Sequence, residues 1–255
     1  MSPVRSLRRV ATHEELDQLT GADAFLRYEI PAPLAVPAWS AGEAVAVLRH
    51  SNIRRPGVVV LGPPEDVGTL AAGLAESGDL PRHGVQGVTV VRESFATLRS
   101  QLSLAEDGGE WEWLCTTTEP APVSQEDRLV PLSEEDLPDI RGLLSVANAR
   151  TDARPFEHAG QVWVGVRDRT GRLVACGVRE PNLVGVPVLA GITVDEVARG
   201  TGLGLAVTAR LTRDAVRESG VCTLGLYSDN DVARRLYHGL GYGDDHRWSS
   251  RPLLS

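Results

Sequence analysis

Apolar positions along the chain fall into two rhythms, and they divide it into alternating strands and helices. Between Gly202 and Glu218, Leu203, Val207, Leu211 and Ala215 recur every fourth residue, which stacks them along one face of a helix. The run PVLAGITV at 187–194 is apolar without a break and is bounded by turn residues, the pattern of a strand covered on both faces. Ser133 with Asp136 three positions on caps a helix that continues to about Asn148. Strands follow at Val162 to Arg167 and Leu173 to Arg179, joined by a turn containing Thr170-Gly171. A further strand at Cys222 to Tyr227 precedes a short helix from Asp231 to Leu240, which Asn230 caps at its start and Gly241 ends. The second half therefore reads strand, helix, hairpin, strand, helix, strand, helix, strand.

The first half repeats parts of this order. Thr12-His13-Glu14-Glu15 has the same cap signature as Ser133-Glu134-Glu135-Asp136, and Leu16 and Leu19 then stand where Leu137 and Ile140 stand in the second half. AVAVLR and GVVVLG form a strand pair, followed by a helix from Pro64 to Glu76 with Val67, Leu70, Ala71 and Leu74 on one face. These parallels point to an internal duplication. The polar, proline-containing stretch EPAPVSQED marks a break, so the expected domains are residues 1–119 and 127–255 with a linker at 120–126. WEWLC places Trp111 and Trp113 on one face of a strand, where they either pack against the other domain or line a channel.

Composition narrows the chemistry. All 26 basic residues are arginine, which removes phosphate-loop NTPases, protein kinases, pyridoxal-phosphate enzymes and Schiff-base aldolases, since each relies on a lysine. The net charge of -8 argues against a nucleic-acid or anionic-membrane surface. Cys115, Cys176 and Cys222 match neither a disulfide framework nor a zinc spacing, and the histidines show no metal-binding spacing, so no metal is expected. Arg8-Arg9 is followed by the polar run ATHEELDQLT rather than the apolar stretch of a signal peptide. A soluble, cytoplasmic protein is expected, and the Arg, Ala, Gly and Val bias is that of a GC-rich bacterial genome.

The segment ITVDEVARGTGLG carries the chemistry. A buried strand ends, Arg199-Gly200-Thr201-Gly202-Leu203-Gly204 turns the chain, and a helix begins at once. Glycines at such a turn expose backbone N–H groups beside the positive end of the helix, an arrangement suited to a diphosphate. Leu205 and Val207 stand where a dinucleotide fingerprint needs its third glycine, and no lysine is present for a phosphate loop.

What the segment resembles is the acetyl-CoA signature of the GCN5-related N-acetyltransferases, Arg/Gln-x-x-Gly-x-Gly/Ala after a strand, with Arg199, Gly202 and Gly204 in its three places. A second element, Asn230-x-x-Ala233-x-x-Leu236-Tyr237-x-x-Leu240-Gly241-Tyr242, is similar to the closing helix of that family. The resemblance spans roughly residues 127 to 255 and implies a mixed α/β fold of the acyl-CoA N-acyltransferase type, with the first half as a degenerate copy in tandem. It implies that the strands Leu189 to Val194 and Cys222 to Tyr227 splay apart to admit pantetheine. It also implies that the N–H of Ile192 faces the thioester oxygen and that of Val194 the pantetheine amide. The N–H groups of Gly200, Thr201, Gly202, Leu203 and Gly204 would hold the pyrophosphate with Arg199, Asn230 would contact the cofactor, and Tyr237 would act as general acid.

Residue by residue, plainer roles stand beside these. Asn230 serves equally as a helix cap, Tyr237 as core, and Arg199 as a neutralising partner of Asp195 or Glu196. Some family members carry a glutamate early in the central strand as general base, whereas this chain has Val188 there. Glu157, His158 and Glu180 lie near it in sequence, and a water chain or an amine that arrives neutral would also serve. The expected activity is transfer of an acetyl group from acetyl-CoA to the primary amine of a small molecule or peptide. The alternatives are a non-catalytic acetyl-CoA sensor and a tandem enzyme using aminoacyl-tRNA, against which the acidic balance counts.

Overall fold

The computed structural model of the chain describes residues 6–50 and 55–254. Residues 1–5, at the head of the segment weighed above as a leader, lie outside the described residues. The chain forms two compact units, one made of residues 1–113 and 245–255, the other of residues 114–244. Among the described residues no helix is long and apolar enough to cross a membrane.

The first unit opens with β1 (Arg8–Arg9), α1 (His13–Thr20) and α2 (Ala24–Glu29), followed by β2 (Ala38–Ala41), β3 (Ala44–His50) and β4 (Pro56–Leu61). Next come α3 (Pro64–Ser77), α4 (Asp79–Arg82), β5 (Gly87–Val91), α5 (Phe95–Arg99) and β6 (Gly109–Thr116), which runs across the boundary between the units. The Thr12 side chain accepts the Glu15 N–H and starts α1, as its sequence signature requires. Strands β1 to β4 pair antiparallel in order. β4 and β5 run parallel, with α3 as the crossover that a parallel pair needs. Val67, Leu70, Ala71 and Leu74 of α3 close the core against Trp39, Val58, Val60, Val88 and Val90. Trp111 and Trp113 belong to an aromatic cluster of this same unit with Phe25 and Trp248, and Glu29 accepts the Trp113 indole N–H at 3.1 Å.

The second unit contains β7 (Val130–Leu132), α6 (Leu137–Ala147), β8 (Val162–Arg167), β9 (Leu173–Pro181), β10 (Pro187–Val194), α7 (Leu203–Ser219), β11 (Cys222–Tyr227) and α8 (Asp231–Gly239). Ser133 and Asp136 form the capping box that the sequence announces ahead of α6. Strands β7 to β10 are antiparallel neighbours, and β10 joins β11 in parallel through α7. Ile140, Leu143 and Leu144 of α6 cover one face of this sheet with Trp163, Cys176 and Val178. Val207, Leu211 and Ala215 of α7 cover the other with Leu189 and Leu224. The two units thus share one order of elements: strand, helix, three antiparallel strands, helix, parallel strand.

Their boundaries differ from the sequence reading in two respects. The last strand, β12 (Gly243–Pro252), pairs antiparallel with β5 from Trp248 to Pro252, so residues 245–255 complete the first unit instead of closing the second. The segment 120–126 is not a free tether either. Arg213 of α7, only 5% exposed, donates from Nε to the Pro120 carbonyl and grips both Glu126 oxygens at 2.6 and 2.8 Å. A buried guanidinium must have its donors satisfied, and the proline-rich stretch supplies both acceptors.

Removing one side of this pair leaves the other charge buried and unpaired. Arg213→Ala is expected to cost about 3–5 kcal/mol in urea unfolding. The Arg213 hydrogen bonds hold the Glu126 carboxyl below its ordinary value. Its contribution is therefore present above the unfolded value of 4.5 and is lost as pH falls below it. The stability of Glu126→Gln should accordingly change less than that of the wild type between pH 5 and pH 3, read by thermal melts across that range.

Candidate functional site

β10 and β11 diverge. Only Val188 with Thr223 and Leu189 with Leu224 pair across them, whereas β4 and β5 pair at four successive residues from Gly57 to Val60. Immediately after Leu189 the register of β10 against β9 shifts between Ala190 and Thr193. Gly191 occupies the bulge at φ +61°, and a Cβ there would stand 3.0 Å from Ala153 and 3.3 Å from the Trp163 ring. Both the dihedral and the close approach therefore call for glycine. Beyond the bulge the Asp195 N–H bonds to the Val174 carbonyl at 2.9 Å. Backbone donors alternate sides along a strand, so the N–H groups of Ile192 and Val194 face away from β9, into the notch left by β11.

The turn that leads from β10 into α7 presents further donors. The Asp195 carboxylate accepts the Val197 N–H at 3.1 Å and an ion pair from Arg172, and the Thr201 hydroxyl donates to the Ala198 carbonyl at 2.7 Å. Gly200 and Gly202 hold φ of +76° and +86°, which L side chains rarely adopt. Gly202 is the N-cap of α7, so no side chain caps the helix, and the Gln125 and Ser124 side chains would stand 3.9 and 4.0 Å from a Cβ there. Gly204 lets this turn lie close on β10, since a Cβ there would reach Val194 at 3.4 Å. Arg199 is exposed, and its Nε stands 3.4 Å from the Val194 carbonyl. Arg172, not Arg199, neutralises Asp195, so among the described residues Arg199 has no carboxylate partner.

α8 carries the remaining sequence candidates. The Asn230 side chain accepts the Ala233 N–H at 3.1 Å, so it caps the helix. Tyr237 is 8% exposed, and burial pushes its phenol up to about 12. Its ring lies 5.9 Å from that of Tyr242. The Tyr242 hydroxyl is shared with Thr212 at 2.8 Å and bonds Cys222 at 3.1 Å. Among the described residues the Tyr237 hydroxyl has no such partner, and burial keeps it protonated.

A family model described as FR47-like protein matches residues 163–249, the stretch that contains the notch, the glycine turn and α8. Among solved structures, a GCN5-related N-acetyltransferase from Kribbella flavida is 18% identical, with 99% of this chain and 91% of that one covered at a TM-score of 0.54. A second, from Sphaerobacter thermophilus, is 17% identical over 86% of this chain and 81% of that one, with a TM-score of 0.56. A putative acetyltransferase of the same family from Novosphingobium aromaticivorans is 18% identical, covering 78% and 86% at 0.53. No curated protein matches the sequence significantly. The fold is that of the GCN5-related N-acetyltransferases.

Within this N-acetyltransferase fold, several features near the notch have no sequence signature. Asn148, at the end of α6, donates to the Thr193 hydroxyl at 3.0 Å, and that hydroxyl donates to the Gly191 carbonyl at 3.0 Å. The bulge is thereby tied to the loop after α6. On the α6 side, an open recess of about 340 Å³ is lined by Ser145, Asn148, Thr151, Ala153 and Arg154 among others, and Ala153 backs directly on Gly191. Of the carboxylates and histidine proposed near Val188, Glu157 and His158 are exposed, with Arg141 3.8 Å from Glu157. Glu180 is partly buried. These contacts join residues far apart in the chain, so only the alternation of β9 could have placed Glu180 on a face in advance.

The buried acids of this unit set its alkaline limit. Burial raises Tyr237 and Cys176 to about 12 and Cys222 to about 11. Groups whose folded value is raised stabilise fully below the unfolded values of 9.0 for the thiols and 10.0 for the phenol, and lose that contribution as pH climbs through 11 to 12. Thermal melts should therefore fall steeply from pH 9 upward. Tyr237→Phe should flatten the part of the decline above pH 10.

Proposed function

We propose that the chain is an acetyl-CoA-dependent N-acyltransferase whose substrates meet at the notch between β10 and β11. The observation that carries this reading is the conjunction of that notch with the uncapped glycine turn at the start of α7. The unpaired β10 edge offers the Val194 N–H to the pantetheine amide and the Ile192 N–H to the thioester oxygen. A fixed donor is worth most when that oxygen becomes an oxyanion. The N–H groups of Gly200, Thr201, Gly202, Leu203 and Gly204, with the exposed guanidinium of Arg199, hold the pyrophosphate. The neutral amine attacks the thioester carbon, a C–N bond forms as the C–S bond breaks, Tyr237 protonates the departing thiolate, and the nitrogen's surplus proton restores the Tyr237 phenol. Asn230 serves as the cap of α8 and has no assigned contact with the cofactor.

The acceptor in this reading is the primary amine of a small molecule or peptide. We place the reaction in the cytoplasm, in keeping with three cysteines that form no disulfide among the described residues. A pure acetyl-CoA sensor would need no acid, and the partnerless hydroxyl of Tyr237 favours the enzyme. The first unit is read as a degenerate copy in tandem. β4 and β5 stay paired without a notch, and α3 starts with Pro63-Pro64 and has the buried Asp66 carboxylate bonded to the Glu43 N–H. We therefore assign acetyl-CoA to the second unit, residues 114–244. A fragment starting near Ser124 is a poor test, because it would remove Leu114 from the second core and leave β12 without β5.

In the full chain, acetyl-CoA should bind in calorimetry and raise the melting temperature by mass action. Gly202→Glu should abolish that binding by placing a bulky carboxylate in the phosphate cradle at a positive-φ position. Absence of both heat and thermal shift at millimolar acetyl-CoA would remove the proposal. Tyr237→Phe keeps the ring and deletes the hydroxyl. Thiol release with an amine acceptor should fall by roughly 10² to 10⁴ while acetyl-CoA affinity holds. Unchanged turnover, with chemistry rate-limiting, would return Tyr237 to a packing role.

A further inference from the structure

Amines of ordinary basicity are ammonium ions in neutral solution, so attack on a thioester requires a group that takes the proton. β10 offers none: from Pro187 to Val194 its side chains are apolar apart from Thr193, whose hydroxyl is bonded to Gly191 and Asn148. We infer that Glu180 of β9 is this proton acceptor. The inference rests on the acyl-transfer reading of the notch and supplies the group which that reading lacks.

Register puts the carboxylate beside the start of β10. Glu180 is the cross-strand partner of Val188, as Val178 is of Ala190. Residues two apart on a strand share a face, so Glu180 lies on the same side as Val178 and Cys176, the side covered by α6. Arg179 points to the opposite face and pairs there with Glu218 of α7. Val188 is three residues from the Gly191 bulge, a span of about 10 Å at the usual strand rise. The acceptor nitrogen and one bridging water in series, at roughly 3 Å per contact, cover most of that distance.

The carboxylate is also held in one orientation. The Gln161 Oε1 accepts the Trp163 indole N–H at 3.1 Å and the Phe156 backbone N–H, which fixes the amide and turns its Nε2 toward Glu180 and the Arg154 carbonyl. Arg154 belongs to the loop that lines the recess against Gly191, so Gln161 ties Glu180 to that wall. No cation among the described residues pairs with Glu180, and its second oxygen is free to accept a proton. Glu157 lines the recess itself but is exposed with Arg141 3.8 Å away, and His158 is exposed. In the reaction the acceptor ammonium gives its proton to the Glu180 carboxylate, the neutral nitrogen forms the C–N bond, the C–S bond breaks, and Tyr237 protonates the thiolate. The acylated nitrogen gives its surplus proton to the Tyr237 phenolate and becomes the neutral amide, and Glu180 returns its proton to solvent.

The test compares wild type, Glu180→Gln and Glu180→Asp in the full chain, with primary alkyl amines as protonated acceptors and hydroxylamine as one that is neutral in the same buffer. Calorimetry with acetyl-CoA runs in parallel. Glu180→Gln should lower kcat with alkyl amines by roughly 10² to 10³, leave acetyl-CoA affinity unchanged, and lose far less with hydroxylamine. Glu180→Asp should recover part of the loss. Equal loss with both acceptors, or loss accompanied by weaker acetyl-CoA binding, would make Glu180 a structural residue and overturn the inference. Wild-type turnover in Glu180→Gln would overturn it as well. A wild type that binds no acetyl-CoA would instead overturn the proposed function and this assignment with it, as would one that binds acetyl-CoA and releases no thiol with any of these amines.

Discussion

Everything distinctive about the second unit follows from the place where β10 stops being an ordinary strand. A parallel strand pair normally saturates the backbone groups between its members. Here pairing with β11 ends at Leu189, and two residues later Gly191 introduces a left-handed residue that re-aims the strand. The donors beyond it have no strand to meet. Unpaired donors at the edge of a buried element are costly unless something else accepts their hydrogen bonds. That is why the notch is the place at which the proposed pantetheine would find its hydrogen-bond partners.

The surroundings keep this opening from closing. Ala153 and Trp163 fill the space next to Gly191, so the bulge cannot relax toward a side-chain-bearing geometry. Asn148 and Thr193 anchor the chain on the α6 face, and Leu189 packs with α7 on the other. Arg213 adds a constraint from outside the sheet by drawing segment 120–126 onto α7 through a buried ion pair. The glycine turn is thereby set at the head of a well-anchored helix. A rigid scaffold around a few unpaired donors is the condition under which backbone groups can stabilise developing charge.

The same order of elements presents different backbone groups in the two units. Both have a parallel strand pair crossed by a helix, but β4 and β5 stay zipped. Their crossover helix begins with prolines, acidic residues in its first turn and a buried carboxylate. The second unit instead begins its helix with glycines and carries no acidic residue in that first turn. Two tyrosines make a similar contrast within α8 and its exit. Tyr242 has its hydroxyl committed to Thr212 and Cys222, whereas Tyr237, also buried, has no hydroxyl partner among the described residues. Burial makes both rings core, and only hydrogen-bond accounting separates them.

Local patterns in the sequence determined the helices with strong caps or clear faces, α1, α3, α6 and α7, and the apolar strands β3, β4, β8 and β10, because capping and periodicity are short-range effects. The glycine turn was legible for the same reason, since φ and close approach are properties of a few consecutive residues. Tertiary structure alone decided where β12 belongs, that 120–126 is pinned, that Arg172 takes Asp195, and that Gln161 holds Glu180 beside Val188. A strand can pair with any exposed edge, and a charged side chain can reach any partner the fold brings near. Those choices depend on register and on the competition among distant groups for burial, which no local stretch of sequence encodes.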